Sequence, residues 1–470
     1  MIALTLAEIS AAVDGELTAA DHTLIISGTV ETDSRLVTPG SIFFALRGEA
    51  TDGKLFAAAA VENGASLVIA DEPLELGERY GGVAQIVVAD TLEALADLAR
   101  FVVAAVRLGG SLRVVGITGS NGKTTTKNML RAVLEGEGPT VAPQGSYNNQ
   151  VGAPYTMLKI EADTRFLVIE MGASAEGDIA RTIGIVVPDI SVVLKVGLAH
   201  SGEFGGIEVT QRAKAEIVTK LPAAAVAVLN ADDHRVVAMA GQTAARPVWF
   251  GLDESADIRA DDLRATGAGT AFTLIVGEQT RAVTLRILGE HHVMNALATI
   301  AVALELGVEL DDAVARIQRV ERAERWRMEV LRSADGIIVI NDAYNASPDS
   351  MAAALKTLAQ IIEPGQRSVA VLGEMNALGD VADEEHDRIG RLVVRLNIQK
   401  LIVIGHRARH IHNAAGLEGS WDGESVLVET DEEAWDLLRG ELRAGDIVLV
   451  KSSNAAGLRH LGDRIAGVTT

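Results

Sequence analysis

Short apolar runs recur along the chain, and the stretches between them place apolar residues at helical intervals. In the middle of the chain the runs are Val114–Ile117, Phe166–Glu170, Ile190–Leu194 and Ala225–Leu229. Such runs are typical of strands buried on both faces, and the helices between them are the connections that parallel strands need. The pattern predicts a mostly parallel sheet covered by helices.

The same alternation returns after about Arg327. The predicted strands are Ile337–Ile340, Ser368–Leu372, Leu401–Ile404 and Ile447–Val450. Predicted helices near 348–362, 384–396 and 431–439 separate them. Strands and helices in this order indicate a second, Rossmann-like doubly wound sheet.

The first part of the chain has shorter strands. They are Leu24–Ile26, Ser41–Leu46 and Leu67–Ile69. A predicted helix from Thr91 to Arg107 follows, and Gly109–Ser111 is typical of a linker. Between Asp257 and Leu288 the pattern is strand-rich, which predicts an antiparallel extension of the central sheet, and a helix from about His291 to Leu306 comes next.

The predicted fold is therefore α/β with three domains. A smaller N-terminal α/β domain occupies 1–110, and a central domain with the parallel sheet and its antiparallel extension occupies 111–326. A C-terminal Rossmann-like domain occupies 327–470. A chain of 470 residues is longer than one hydrophobic core supports, which agrees with this division.

Composition restricts the function. The net charge of −22 argues against a nucleic-acid partner or an anionic membrane surface, and the absence of cysteine excludes disulfides, thiolate metal sites and cysteine nucleophiles. Met1–Glu8 is typical of a capped helix start rather than a signal peptide, and apolar stretches are too short for a membrane span. We expect a cytoplasmic, monomeric enzyme without membrane insertion.

A glycine-rich loop carries the clearest chemistry. Gly119–Thr125 follows the strand Val114–Ile117 and opens a helix near Lys123. Backbone N–H groups of such a loop close on phosphate oxygens, a lysine in the position of Lys123 reaches the terminal phosphates, and a hydroxyl such as that of Thr124 holds Mg²⁺. Ile117 stands where the standard pattern has glycine, so a glycine-rich turn with a surface lysine is the less favoured alternative. The loop predicts ATP or GTP binding.

Polar residues follow other predicted strands. Glu170 ends a strand and could hold Mg²⁺, although a solvated strand-end acid is the alternative. His200 in the loop Gly197–Gly202 could ligate a metal or lie on the surface, and Lys214 by itself is typical of a solvated helix position. Ligands bind at the carboxyl ends of parallel strands, which favours the functional interpretation of Glu170.

Taken together, these segments resemble the Mur ligases. The resemblance rests on Gly119–Thr125, Tyr147–Asn149, Glu170–Gly172, Ala199–His200, Ala213–Glu216, Gly289–Leu297, Arg327–Glu329 and Asn341–Pro348, in that order. The run Asp342–Met351 is similar to the corresponding segment in the branch of the family that joins D-alanyl-D-alanine to UDP-N-acetylmuramoyl-tripeptide (UDP-MurNAc-tripeptide). Thr32–Arg35, followed by Pro39–Phe44, is similar to the region of that family that binds the sugar nucleotide.

The resemblance implies an ATP-dependent ligase that works through an acyl phosphate. Lys123 would contact the ATP phosphates, and Lys214 would be N-carbamylated by CO₂ so that it can position Mg²⁺. Two Mg²⁺ ions are expected, with ligands from Thr124, Glu170, His200 and carbamylated Lys214. The catalytic residues would be Lys123, Glu170, His200 and Lys214. The nucleotide would contact Gly119, Ser120, Asn121, Gly122, Lys123, Thr124, Thr125, His291, Asn295, Arg327, Asp342 and Tyr344. Substrate contacts would come from Ser34, Arg35, Asn148, Asn149, Ser174 and Asn345.

Two positions depart from the family pattern: Lys54 stands where a histidine is expected, and Asn454 where an arginine is common. The alternatives are a sister amide ligase (MurE or folylpolyglutamate synthase), a plain ATPase, or a nucleotide-binding scaffold without turnover. The sequence leaves open whether the tripeptide ends in L-lysine or meso-diaminopimelate.

Overall fold

The computed structural model describes residues 1–19, 21–48, 51–76, 82–197, 206–322, 324–418 and 421–468. The helices are α1 Leu6–Ala12, α2 Ala57–Glu62, α3 Thr91–Leu108, α4 Lys123–Leu134, α5 Gly152–Met157, α6 Asp178–Ile185, α7 Ile207–Thr219, α8 His234–Val237, α9 His291–Glu305, α10 Leu310–Ile317, α11 Pro348–Ile361, α12 Ala382–Arg395, α13 Arg409–Leu417, α14 Asp431–Glu441 and α15 Arg459–Ile465.

The strands fall into four sheets. They are β1 Leu4–Thr5, β2 Glu16–Leu17, β3 Ile25–Ile26, β4 Val30–Glu31, β5 Ile42–Phe44, β6 Leu67–Ala70, β7 Ala84–Val87, β8 Arg113–Thr118, β9 Thr140–Val141, β10 Phe166–Glu170, β11 Ile190–Val193, β12 Val226–Asn230, β13 Arg246–Gly251, β14 Ile258–Thr266, β15 Gly269–Val276, β16 Gln279–Leu285, β17 Glu329–Arg332, β18 Ile338–Asn341, β19 Arg367–Leu372, β20 Lys400–Ile404, β21 Glu424–Val428 and β22 Asp446–Lys451.

The N-terminal region contains a two-stranded antiparallel pair, β1 with β3, and a five-stranded sheet in the order β2-β7-β6-β5-β4. Strands β7, β6, β5 and β4 are parallel, and β2 joins antiparallel to β7. Helix α1 begins with a capping box in which Thr5 and Glu8 satisfy each other's backbone N–H groups. The sequence-based prediction of a capped helix start is confirmed.

The central sheet has nine strands in the order β16-β15-β14-β13-β12-β11-β8-β10-β9. Strands β8 to β13 pair in parallel, and β14, β15 and β16 form the antiparallel extension predicted from the sequence. The chain runs from β8 to β9 and β10 on one side and to β11 on the other, so β8 lies at the switch point where ligands bind. Ile117 of β8 pairs with Glu170 of β10, which places that carboxylate beside the loop beginning at Gly119.

The C-terminal sheet has the order β17-β18-β22-β19-β20-β21. It is parallel except at the edge strand β17, and β18 to β20 and β22 are almost wholly buried. Both this sheet and the central sheet carry apolar clusters on their two faces. This burial explains the unbroken apolar runs in the sequence.

The three parts contact one another differently. One apolar cluster runs continuously from Leu6 of α1 and Ile42 of the N-terminal sheet through α3 to Leu167 and Ile169 of the central sheet. The C-terminal part meets the central part through polar contacts at the carboxyl ends of the strands: Ser347 Oγ with Asn121 Oδ1 at 3.2 Å, and Lys195 with Asp349 at 3.6 Å. The α/β fold class predicted from the sequence is confirmed. Among the described residues no helix is long and apolar enough to span a membrane.

Candidate active site

The glycine-rich loop joins β8 to α4, and its backbone requires glycine. Gly122 has φ 86°, and a Cβ there would lie 2.4 Å from Asn295 Oδ1. The side chain of Lys123, which is half-buried, folds back to donate to Gly119 O at 2.7 Å. Strand β8 extends to Thr118, so Ile117 is a strand residue. The loop therefore begins after the position at which the standard pattern has its first glycine. The result is a backbone cradle at the N-terminus of a helix, which suits phosphate.

A carboxylate and a hydroxyl meet beside this cradle. Glu170 is 1% exposed, and its Oε2 accepts from Thr124 Oγ1 at 3.1 Å while its Oε1 accepts from Asn148 Nδ2 at 2.7 Å. Ser146 Oγ lies 3.2 Å from Thr124 Oγ1 and accepts from Arg327 Nη2 at 3.1 Å. One network thus joins α4, β10, the loop before α5 and the start of the C-terminal part.

These oxygen atoms are the kind of ligand that Mg²⁺ takes. Within the described ranges no group of three His, Asp or Glu side chains converges. Mg²⁺ sites that act on nucleotides commonly use one or two carboxylates and complete the shell with substrate phosphates and water. Thr124 and Glu170 fit that arrangement. His200, a predicted metal ligand, lies outside the described residues.

Lys214, on α7, is 3% exposed and close enough to Lys123 for the two charges to interact. Burial, with a smaller contribution from Lys123, lowers the pKa of Lys214 to about 7. Burial also lowers the pKa of Lys123, although Glu170 counteracts the shift. Near neutral pH a substantial share of Lys214 is therefore a neutral amine, the form that reacts with an electrophile.

Helix α9 supplies the wall on the other side of the loop. Burial lowers the pKa of His291 to about 4, so this ring is neutral near pH 7. Asn295 Nδ2 donates to His292 Nδ1 at 3.1 Å, and the buried His292 Nε2 has no hydrogen-bond partner among the described residues. A cavity of about 200 Å³ lies next to this wall and is lined by Asn121, Gly122, Leu194, Lys195, Asn230, His291, Met294, Asn295, Asp349, Ser350 and Ala353. The cradle and the unpartnered nitrogen fit a bound nucleotide.

The C-terminal part contributes charged and aromatic groups. The Arg327 guanidinium lies 4.3 Å from the Tyr344 ring centroid. Asp342 Oδ1 accepts from Met328 N at 3.0 Å, and Asp342 Oδ2 accepts from Lys451 Nζ at 2.5 Å. Asn345 lines the same cavity as Lys123, Glu170 and Arg327. Elements far apart in sequence therefore close over the phosphate cradle.

A further cavity, of about 610 Å³, lies between the N-terminal and central parts. Its lining is Thr32, Asp33, Ser34, Arg35, Leu46, Arg47, Gly48, Thr51, Gly53, Phe56 and Val151. Ser34 is buried, whereas the Arg35 side chain is 85% exposed and pairs with Asp33 at 2.5 Å. The two predicted substrate residues Ser34 and Arg35 are thus together, but apart from the phosphate cradle.

The structure gathers most of the predicted residues but not all. Asn149 Oδ1 accepts from Gly152 N at the start of α5, while Ser174 lies on an exposed loop and donates to Asp178. His292 and Lys451 line the same cavity as Lys123, Glu170 and Arg327, and neither was predicted from the sequence. Lys451 ends a buried strand as Glu170 does, so the same strand-end rule could have found it.

Comparison with known proteins agrees with this geometry. Three family models match: "Mur ligase family, catalytic domain" over 28–102, "Mur ligase middle domain" over 117–303, and "Mur ligase, glutamate ligase domain" over 326–454. The UDP-N-acetylmuramoyl-tripeptide–D-alanyl-D-alanine ligase of Mycobacterium tuberculosis is 43% identical, covering 100% of this chain and 99% of that protein. The ligase of the same name from Escherichia coli is 33% identical, with 98% of each chain covered.

Solved structures give the same result. A crystal structure of MurF from Acinetobacter baumannii has a TM-score of 0.88 at 30% identity and covers 99% of both chains. The MurF ligase of Thermotoga maritima, crystallised in complex with ADP, has a TM-score of 0.80 at 26% identity, covering 93% of this chain and 97% of that one.

Proposed function

Because this chain belongs to the Mur ligase family, we propose that it joins D-alanyl-D-alanine to UDP-MurNAc-tripeptide and converts ATP to ADP and phosphate. One observation carries the proposal: Arg327, Asp342 and Tyr344 close over a phosphate cradle that already holds Lys123, Thr124 and Glu170. A ligase needs ATP and an acceptor in one closed cavity, because an exposed acyl phosphate would react with water.

The reaction has two steps. A carboxylate oxygen of the tripeptide attacks the γ-phosphorus of ATP, which forms an acyl phosphate and releases ADP. The free amine of D-alanyl-D-alanine then attacks the acyl carbon, and the tetrahedral intermediate loses phosphate and a proton to give the amide. In phosphoryl transfer the protein mainly aligns the groups and neutralises charge.

The residues divide this work. Lys123 and the backbone of Gly119–Thr125 hold the phosphates, and Thr124 with Glu170 holds Mg²⁺, which neutralises phosphate charge when bound. Arg327 places a second cation beside Ser146, whose hydroxyl lies 3.2 Å from the same Thr124 hydroxyl that donates to Glu170. His291 and Asn295 face the nucleotide, and Asp342 and Tyr344 complete the closed side.

The buried Lys214 has the properties of a carbamate site. With a pKa of about 7 its amine is partly neutral near pH 7, and a carbamate would replace the remaining buried cation beside Lys123 by an anion. That exchange replaces a repulsive contact by an attractive one and creates an oxygen ligand for Mg²⁺. We assign Lys214 and His200 to the metal site together with Thr124 and Glu170.

The other cavities supply the remaining subsites. The cavity lined by Ser34 and Arg35 takes the sugar nucleotide, and Asn148, which bonds Glu170, faces the reacting end of the tripeptide. Asn345 contacts the dipeptide. Residues 1–110 then bind the sugar nucleotide, 111–326 bind ATP, and 327–470 bind D-alanyl-D-alanine.

The test is phosphate release from ATP and Mg²⁺ with UDP-MurNAc-tripeptide, measured with and without D-alanyl-D-alanine. Both the L-lysine and the meso-diaminopimelate tripeptides are used. We expect release that requires the dipeptide, with a product mass equal to the sum of the substrates less water. Release without the dipeptide would indicate an ATPase or a sister ligase, and no release with either tripeptide would favour a non-catalytic protein.

A further inference from the structure

Lys127 is a fully buried cation that the reaction described above does not use. It lies one turn after Lys123 in α4 and is 0% exposed. Its Nζ donates to Pro143 O at 2.7 Å and to Gly145 O at 3.1 Å, and it lies 4.0 Å from Glu324 Oε2. Three segments distant in sequence therefore meet at one ammonium group.

Two of these segments lead directly into the site. The carbonyls of Pro143 and Gly145 precede Ser146 and Asn148, which contact Thr124 and Glu170. Glu324 begins the segment 324–328 that leads into β17, which we call the linker. Arg327 lies in this linker, and its guanidinium donates to Ser146. Glu324 also accepts from Asn128 Nδ2 at 3.2 Å, so the linker is fastened to α4 at adjacent positions.

Packing alone does not explain a cation here. The buried positions of α4 before Lys127 are threonines and those after it are apolar, beginning with Met129 and Leu130. Burying an ammonium group is costly where an uncharged side chain would fill the space. Desolvation lowers the pKa of Lys127; Glu170 and Glu324 oppose this effect, whereas Arg327 and Arg131 add to it. We therefore expect the buried ammonium group of Lys127 to hold the segments that it contacts in a specific arrangement.

We propose that Lys127 is a positioning residue for the ligation reaction. From behind the phosphate cradle it holds Ser146 and Asn148 against Thr124 and Glu170, and it anchors the linker that delivers Arg327. It touches neither nucleotide nor substrate, and the inference rests on the proposed function. Misplacement of reacting groups by about 1 Å can cost about 100-fold in rate, so the effect is measurable.

The main test replaces Lys127 by methionine, which has similar length and no charge. We expect kcat to fall about 10- to 100-fold and the KM for ATP to rise, because the loop and Arg327 both contact the nucleotide side of the site. The KM for UDP-MurNAc-tripeptide should rise much less than the KM for ATP, because only Asn148 at its reacting end depends on Lys127, whereas the sugar-nucleotide cavity is formed by residues 32–56 and Val151. This contrast between two KM values separates positioning from a general loss of structure.

Lys400→Met is the matched control. Lys400 is 4% exposed and pairs with Glu424 and Glu441, but it begins β20, at the end of the sheet opposite the site. The control should lower the melting temperature and leave kcat and both KM values at wild-type levels. If Lys127→Met behaves like Lys400→Met, the proposal is wrong.

Glu324→Gln tests the linker separately and perturbs folding less. It removes the charge facing Lys127 while keeping an acceptor for Asn128, and we expect a several-fold loss of kcat. If Lys127→Met does not fold, wild-type kinetics in Glu324→Gln overturns the proposal.

The affinity for a fluorescent ATP analogue is measured in parallel. An unchanged affinity in a folded Lys127→Met variant also contradicts the proposal. A wild-type protein that lacks dipeptide-dependent release would instead refute the proposed function.

Discussion

At the scale of single residues, Lys123 is the side chain on which phosphate binding depends most directly. Its Nζ now bonds Gly119 O, inside the loop that would surround the phosphates. Replacing Lys123 by alanine should lower kcat about 100-fold or more, because one preorganised contact to transition-state charge contributes that much. Steady-state phosphate release measures the loss, and an unchanged melting temperature shows that the fold remains. Near-normal turnover in Lys123→Ala would show that Lys123 does not take part in the reaction.

Lys214 allows a chemical rescue experiment. Lys214→Ala should be inactive, because the buried position would lose both the amine and its carbamate. Acetate or another short carboxylic acid should restore part of the activity by supplying an anion in the vacated space. Lys220→Ala is the control, since Lys220 caps the same helix and is exposed. Full activity of Lys214→Ala without added acid would contradict the carbamate role.

The residues that the sequence predicted share a local signature. Lys123 and Thr124 belong to a contiguous loop, and Glu170 ends an apolar run, so spacing along the chain was sufficient to propose them. Lys127 has no such signature, because its acceptors Pro143 and Gly145 and its partner Glu324 are brought together only by tertiary packing. Sequence patterns report neighbours along the chain, and this contact is not one of them.

At the scale of elements, the loop between β8 and α4 depends on Gly122. Gly122→Ala would force a side chain into φ 86° and against Asn295 Oδ1, at a cost of about 1–3 kcal/mol of stability. We expect weaker binding of ATP analogues as well, because Asn295 would have to move. Gly440→Ala in α14 is the control: its Cβ meets nothing within 4 Å, so stability should rise or stay level. Equal effects of the two substitutions would argue against this account.

Helix α11 begins at the interface between the C-terminal and central parts. Ser347 caps this helix through Ser350 N and also contacts Asn121 in the phosphate loop. Ser347→Ala should cost about 1 kcal/mol of stability and raise the KM for ATP. Thr430→Ala removes a comparable cap from α14, away from the loop, and should lower stability without a change in KM. Denaturant unfolding and kinetics on both variants separate the two roles of Ser347; an unchanged KM in Ser347→Ala would show that the contact with Asn121 has no functional part.

Long buried strands were predictable, whereas several short or half-exposed ones were missed. The runs at β10, β11 and β19 appear in the sequence because both faces are covered, which leaves no polar interruption. Strands of two residues, such as β2 and β4, are too short to show a period. Strand β21 is only partly buried, so its alternation of apolar and polar residues is weak. Neither β21 nor α13 was predicted from the sequence.

At the scale of the whole molecule, the two interfaces of the central part differ in chemistry. The N-terminal interface is a continuous apolar cluster that includes α3. The C-terminal interface combines polar contacts near the site, such as Arg327 with Ser146 and Asn121 with Ser347, with a smaller apolar contribution from Leu288. Separating apolar surfaces exposes them to water, while polar groups exchange partners with water at little net cost. The C-terminal part is therefore expected to move more readily than the N-terminal part.

The absence of cysteine makes this expectation testable, because introduced cysteines can be spin-labelled without background. Exposed positions suit the labels: Lys220→Cys with Asn413→Cys spans the C-terminal interface, and Ala11→Cys with Lys220→Cys spans the N-terminal one. A non-hydrolysable ATP analogue and UDP-MurNAc-tripeptide are then added. The distribution of distances between the two labels should become narrower for the first pair and change much less for the second. Equal shifts in both pairs would mean that the shared apolar cluster does not hold the N-terminal part in place. Closure would then depend on the substrates bridging all three parts, rather than on the different chemistry of the two interfaces.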